Sequence, residues 1–338
     1  MTSAARKETI LRIIVNEYVA KAVPVASETI ASSYNLKVSP ATIRNDMARL
    51  EEEGYITRPH RSAGSIPTDR GYRCYVGLIR QGIELPTSEQ SFIYKVFHEP
   101  EREVEQWLKL AAMLLARSVH NMAIVTIPRA PRCRFKHLDL VALQDFVALL
   151  ILVLYQARIK QQILSFTKKV TQDTLATVAN KLNAAYAGMT VPEITSGDLE
   201  LSDEEEQVTR CIVDRMAAED KKGFGKPYLE GLHLMLSQPE FARSFTIINI
   251  LELIEQEDWL GKVFSREPGR GETEVIIGEE NAEEALQDLS LVLSRYGIPD
   301  KASGIVGVLG PKRMDYTRTI SSVNYLSSLL SKSVVEYI

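Results

Sequence analysis

Cysteine is scarce: three residues in 338, at positions 74, 133 and 211, with no CxxC pair among them. That scarcity excludes a disulfide framework and a zinc knuckle. Histidine is nearly as rare. The five histidines (60, 98, 120, 137 and 233) include no HxxxH pair, so a helical zinc motif is excluded as well. No GxSxG elbow and no phosphate-binding GxxxxGK[ST] loop occurs. Gly304, Gly307 and Gly310 stand three apart and fail the GxGxxG template; they are read as packing or turn points around a strand. Glu279 and Glu280 are adjacent, and chain neighbours do not converge on one substrate atom, so they are read as a solvated loop. Long apolar runs are missing too. The longest, Phe146 to Tyr155 (FVALLILVLY), has ten residues, roughly half of what a membrane-spanning helix needs. The N-terminal MTSAARKETILRII carries charges where a signal peptide would need an apolar core. The expectation is a cytoplasmic protein with no catalytic residues, no metal, no cofactor and no membrane partner.

What is present is an ordinary globular composition, 45% hydrophobic and 25% charged. The length suits two or three domains. The charge is uneven. Residues 1–80 hold twelve Lys/Arg and eight Asp/Glu, a net +4, so the remainder of the −4 chain carries −8. A basic head on an acidic body suits a domain that meets a polyanion, although an excess of four is also what a solvated surface shows.

Apolar spacing predicts a helix over 6–20 through Ile10, Leu11, Ile14, Tyr18 and Val19, broken at Pro24. Ser27 is read as the N-cap of a second helix through Tyr34. Ser39 caps a third, with Pro40 at its first position and Gly54 as a left-handed stop after Glu53. Strand-like pieces follow at 55–58 and 65–68, then a helix over 69–81. Helix is predicted over 88–120, strands at 122–127, 135–143, 146–155 and 158–166, and helices over 172–187 and 203–220, then from 239 to 259. Strands resume at 274–277, 289–295 and 304–309 before a final helix at 315–332. The β-rich pieces at 120–166 and 274–310 flank a helical block. Strands without a local partner are most simply satisfied in one sheet, so one α/β domain interrupted by an insertion is expected.

Three helices and a hairpin, in that order, are a winged helix-turn-helix, whose third helix enters the major groove. On that helix Ile43, Met47 and Leu50 form the core stripe. Ala41, Arg44, Asn45, Ala48 and Arg49 lie opposite, and Arg44 and Asn45 carry the forked groups that suit guanine or adenine edges. Ser39 and Thr42 at the helix N-terminus, with Lys37 just before it, can meet phosphate. The wing adds Arg58, His60, Arg61 and Ser62, within reach of phosphates or a narrow minor groove. The plainer reading pairs Arg44 and Arg49 with Asp46 or Glu53 on a solvated face, and makes His60 structural. A third class uses the winged helix only for contacts with an acidic protein.

The segment VSPATIRNDMARLEEEGYITRPHRSAGSIPTDRGYRCYV (38–76), with EVIIGEEN (274–281) and GIVGVLGPKRMDY (304–316), closely resembles the signature of the heat-inducible transcription repressor family HrcA. The resemblance covers essentially the whole chain. In the wing, Arg61 stands where the family pattern has Thr, and Ser65 where it has Arg. The resemblance implies an α+β multidomain fold: a winged-helix domain (1–82), a GAF-like α/β domain in two pieces (86–170 and 261–338), and a mostly helical inserted dimerisation domain (171–260). It further implies a homodimer that binds double-stranded DNA at a CIRCE-type inverted repeat, represses chaperone operons, and depends on the GroEL chaperonin. The stripe Phe241, Phe245, Ile248 and Leu251 in the insertion is expected at the dimer interface, against a reading in which it packs within the subunit. The alternative function is a ligand-responsive winged-helix regulator of another operon.

Overall fold

The structure, a computed structural model, describes residues 2–60, 63–79, 84–97, 104–130, 132–155, 158–221, 227–242, 246–256, 259–260, 273–298 and 301–337. The chain divides into two units, Met1–Arg129 with Phe224–Ile338, and Ala130–Gly223.

In the first unit, α1 (Ser3–Lys21) is capped by Thr2. It stops three residues before Pro24, where Ala22 turns left-handed (φ 54°) and donates its N–H to the Tyr18 carbonyl. In α2 (Ser27–Ser33), Ala26 occupies the cap position without a side-chain bond. Ser27, expected as the cap, is already helical. In α3 (Pro40–Glu52), Ser39 Oγ accepts the Thr42 N–H at 3.2 Å, and Gly54 takes the left-handed φ of +75°. Strands β1 (Ile56–Thr57) and β2 (Ile66–Pro67) pair antiparallel, and Val25 bridges Ser65 beside them. Ile10, Ile14, Ile30, Ile43, Met47, Leu50 and Ile56 are buried together, each worth about 1.5–3 kcal/mol on leaving water.

Helix α4 (Asp69–Leu78) leads to α5 (Thr87–Phe97) and α6 (Val104–Val119). A five-stranded antiparallel sheet follows, formed by β3 (Met122–Val125), β7 (Tyr228–Glu230), β8 (Thr273–Ile277), β9 (Leu289–Ile298) and β10 (Ala302–Pro311) in the order β7-β3-β10-β9-β8. Strand alternation feeds two cores. Ala123, Val125, Val292, Tyr296, Val306 and Val308 pack with α6 and the C-terminal helix Tyr316–Tyr337. Met122, Ile124, Leu291, Leu293, Ile305 and Leu309 pack on the other face with Met235 of α10 (Leu232–Leu236) and with Ile250 and Leu253 of α11 (Thr246–Glu255). The result is a three-layer α/β/α sandwich. Gly304 lies against Tyr296, Gly307 against Leu293 and Gly310 against Asn121, so the three-residue spacing reflects close packing along one strand.

The second unit is a meander, β4 (Phe135–Gln144), β5 (Val147–Leu154) and β6 (Arg158–Ser165), followed by α7 (Gln172–Tyr186), α8 (Val191–Ser196) and α9 (Asp203–Lys221). Ala148, Leu150, Leu152 and Leu154 face Leu175, Leu182, Val208 and Ile212. The expected single sheet over 120–166 and 274–310 is therefore corrected. Strands β4 to β6 satisfy one another's ladder locally and carry their own helices, and only Met122–Val125 joins the later strands. The separate unit begins at 130, not 171. Residues 228–255, expected within the insertion, pack in the first unit.

Candidate nucleic-acid interface

Helix α3 divides its residues as its sequence dictates. Ile43, Met47 and Leu50 are buried, while Ala41, Arg44, Asn45 and Arg49 are exposed. The groups expected to meet bases thus share a solvent-facing side. Lys37 and Ser39 just before the helix are exposed, and Thr42 is half-buried. Lys37 holds a left-handed φ of 54°. The Ser39 hydroxyl is already engaged, capping Thr42 N–H and lying 2.9 Å from Thr42 Oγ1.

The pairing anticipated on a solvated face differs from what forms. Arg44 reaches Glu28 on α2 at 2.8 Å, with both side chains about two-thirds exposed. Hydrogen bonds from its own backbone N–H, from Arg44 and from Ser27 hold the Glu28 carboxyl below the usual range. Asp46 pairs with neither arginine of its own helix. It lies 2% exposed beside Met47 and binds the Arg6 guanidinium on α1, and that contact raises the Arg6 pKa. Glu53 goes to Lys7 at 2.5 Å. Sequence reasoning missed the Arg6–Asp46 pair, although a charged residue next to the Ile43/Met47/Leu50 stripe already required a partner. In the wing, Arg58 and His60 are exposed, with Arg58 3.1 Å from Glu51. Arg61 and Ser62 lie outside the described residues.

The stripe expected at the dimer interface does not form one surface. Phe241 is buried in the core beside Met235 and Trp259, because its side chain fills the face of the sheet under α10 and α11. Ile248 and Leu251 are exposed, and Phe245 lies outside the described residues. An open apolar face lies elsewhere, on the outer side of β4–β5–β6. There Val141, Leu149 and Ile163 stand in register across three strands, and Val153 stands beside Ile159. Val141, Phe146, Ile159 and Ile163 are all at least 40% exposed.

Among the described residues no group of three or more His, Cys, Asp or Glu is placed to hold a metal ion, and no helix is long and apolar enough to cross a membrane. Cys133 and Cys211 are buried and Cys74 half-buried, and none of the three is in a disulfide.

Comparison with known proteins agrees with the order of these parts. The family model for a DeoR-like helix-turn-helix domain matches residues 17–68, and that for the HrcA protein C-terminal domain matches residues 105–320. The heat-inducible transcription repressor HrcA of Dehalococcoides mccartyi is 44% identical over 331 residues, covering 98% of this chain and 96% of the relative. The protein of the same name from Chloroflexus aggregans is 37% identical over 348 residues, with 98% and 93% covered. A crystal structure described only as that of a hypothetical protein at 2.2 Å resolution superposes with a TM-score of 0.59 at 23% identity, covering 98% of this chain and 99% of the other, a likeness of fold. With a matching family model over most of its length and relatives of this identity along nearly all of it, the chain belongs to the HrcA family, whose curated relatives named above are transcription repressors and not enzymes.

Proposed function

We propose that this protein represses chaperone operons by binding a CIRCE-type inverted repeat as a homodimer, with activity that depends on the GroEL chaperonin. The observation that carries the DNA-binding part is α3. Its outward face presents Arg44, Asn45 and Arg49 above a buried stripe, next to a wing bearing Arg58 and His60. Arg44 and Asn45 read base edges, while Lys37, Thr42, Arg49, Arg58 and His60, with Arg61 and Ser62, hold the backbone. Ser39 serves chiefly as the helix cap that fixes the N-terminus facing a phosphate.

An inverted repeat calls for a twofold protein. The open apolar face of β4–β5–β6 supports self-association, because in-register apolar rows such as Val141–Leu149–Ile163 can pack against a second sheet. The α/β/α sandwich supports the GAF-like reading of the larger domain. Chaperonin dependence is supported by the same sheet face and by strands of one sheet, β3 and β10, that lie nearly two hundred residues apart in sequence. Such non-local sheets fold slowly and expose apolar strands on the way.

The test is a gel shift with the upstream region of a chaperonin operon, against a scrambled duplex, over a range of salt. A salt-steep, sequence-selective shift supports the reading, and equal affinity for both duplexes overturns it. For the chaperonin, the protein is refolded with and without chaperonin and nucleotide, freed of it, and titrated with operator. A larger DNA-active fraction after chaperonin supports folding control; equal fractions, or a need for bound chaperonin, overturn it.

A further inference from the structure

Two stretches, EVIIGEEN and GPKRMDY, lie far from α3 in sequence and include no base-reading residue. Their positions in the fold give them work to do. Asp69, the first residue of α4, accepts the Glu279 backbone N–H at 3.0 Å and lies 2.9 Å from Lys312 Nζ. Gly278 makes this approach possible. It has φ +53°, and a Cβ there would lie 1.8 Å from Asp69 Oδ2. One turn on, Arg73 binds both carboxylate oxygens of Glu280, with Nε to Oε1 at 2.7 Å, and donates to the Val275 carbonyl at 2.5 Å. Glu280 is itself fixed by the Ile277 N–H at 2.8 Å. Arg313 closes the third side. It donates to Glu240 at 2.5 Å and to the Val19 carbonyl, near the end of α1, also at 2.5 Å. Between these polar ties Tyr72 of α4 packs on Tyr316, ring centroids 5.8 Å apart.

We infer that Asp69, Arg73, Gly278, Glu280, Lys312 and Arg313 form a clasp that fixes the angle at which the α/β sandwich presents the recognition helix, and that this clasp sets which half-site spacing the protein accepts. The inference rests on the reading of the chain as a dimeric DNA-binding repressor. Its physical basis is geometric. A bidentate Arg–carboxylate contact and a glycine-dependent close approach define orientation, whereas an apolar contact alone allows sliding. The clasp binds the end of α1 and the start of α4, the two helices that frame α3 and the wing. A head held at one angle meets two half-sites only at one separation, since half-sites repeat on the DNA helical turn.

An open cavity of about 740 Å³ lies beside the clasp, lined by Asp69, Arg70, Glu240, Lys312 and Arg313. The partner side chains Lys312 and Glu280 are 30% and 41% exposed, so truncating Asp69 or Arg73 leaves the partner hydrated, not buried and orphaned, and the winged domain should stay folded.

The test uses the full chain and the variants Asp69→Ala, Arg73→Ala and Gly278→Ala, with the charge exchange Asp69→Lys/Lys312→Asp as rescue. Each is titrated with a single half-site duplex, with the inverted repeat, and with repeats whose spacer is changed by about half a helical turn, ~5 base pairs. The expected result is half-site affinity within about twofold of wild type, loss of about tenfold or more at the natural spacing, and narrowed discrimination between spacings, as the linked second contact loses its fixed geometry. The exchanged pair, which restores the ion pair but not the acceptor for the Glu279 N–H, should regain part of the discrimination, and the Glu279 amide should exchange hydrogen faster in Asp69→Ala. Discrimination that persists in the single variants while wild type discriminates overturns the clasp alone. Half-site affinity that falls in step with the repeat overturns it too, by showing damage within the winged domain. A wild type indifferent to spacing removes the repressor reading and the clasp together.

Discussion

The Arg6 guanidinium on α1 grips the Asp46 carboxylate on α3, with Nε to Oδ2 at 2.5 Å and Nη2 to Oδ1 at 3.3 Å. Asp46 is the one charged residue buried on the recognition helix, so its partner fixes that helix on its scaffold. Asp46→Ala leaves Arg6 without its counter-charge and should lower stability. The double change Arg6→Met/Asp46→Leu should recover most of it. Urea unfolding of the three variants checks this; a double variant no more stable than Asp46→Ala would refute the pairing as the cause.

Arg44→Ala and Asn45→Ala should each weaken operator binding by about 1–3 kcal/mol and relax base preference, with unfolding almost unchanged. Because Glu28 holds Arg44 in the free protein, Glu28→Gln should tighten binding, removing both a competitor and a negative charge near the phosphates. Titrations against operator and scrambled duplex measure all three. Unchanged affinity in the first two would remove α3 from base readout.

Ile43→Ala, on the buried side of the same helix, should behave in the opposite way. It should cost about 2–5 kcal/mol of stability while the folded fraction keeps its base preference. Calorimetry paired with the same titrations separates the two effects.

Leu149→Lys with Ile163→Lys places charges on the outer face of β4–β5–β6, opposite the side packed on α7 and α9. The expected outcome is a folded monomer in sedimentation with much weaker binding to the inverted repeat. A variant that sediments as a dimer would exclude this face from self-association.

Acid stability should depend on Glu205. Its carboxylate takes the Lys181 ammonium at 2.8 Å and the Ser202 N–H at 2.8 Å, and these contacts hold its pKa below the usual carboxylate value, against a smaller effect of burial. A folded-state pKa that is lowered contributes stability above the unfolded value and loses it as pH falls through the folded one. Glu205→Gln should therefore cost about 1–2 kcal/mol at neutral pH and shrink toward no effect in acid. Denaturation of both proteins at neutral pH and near pH 3 tests it; a penalty independent of pH would assign the loss to packing.

The parts of the fold that could be read in the sequence are those set by neighbours along the chain. Ser39, Pro40 and Gly54 bound α3 because capping and left-handed stops are local chemistry, and the Ile43/Met47/Leu50 stripe follows from helical period alone. The partition of strands was hidden. Strands β3 and β5 are apolar runs and β4 and β6 mix apolar with polar residues, and nothing within a strand says that β4 to β6 close on themselves while β3 pairs with β10, some 180 residues on. Phe241 shows a related limit: a stripe of helical period identifies a buried face without saying which neighbour buries it, and here the neighbour is within the chain. Glu280, read as a solvated loop residue, pairs with an arginine 207 positions away, a relation that has no trace in local pattern.

The apolar interior of the winged domain is continuous with that of the sandwich. Ile14, Ile43 and Tyr72 belong to one buried cluster with Val292, Tyr316 and Leu326. Without a break in that interior, the DNA-reading head should have no melting transition of its own. Warming should abolish operator affinity over the same narrow interval in which the sandwich unfolds, so that the protein responds to temperature as a threshold and not as a gradient.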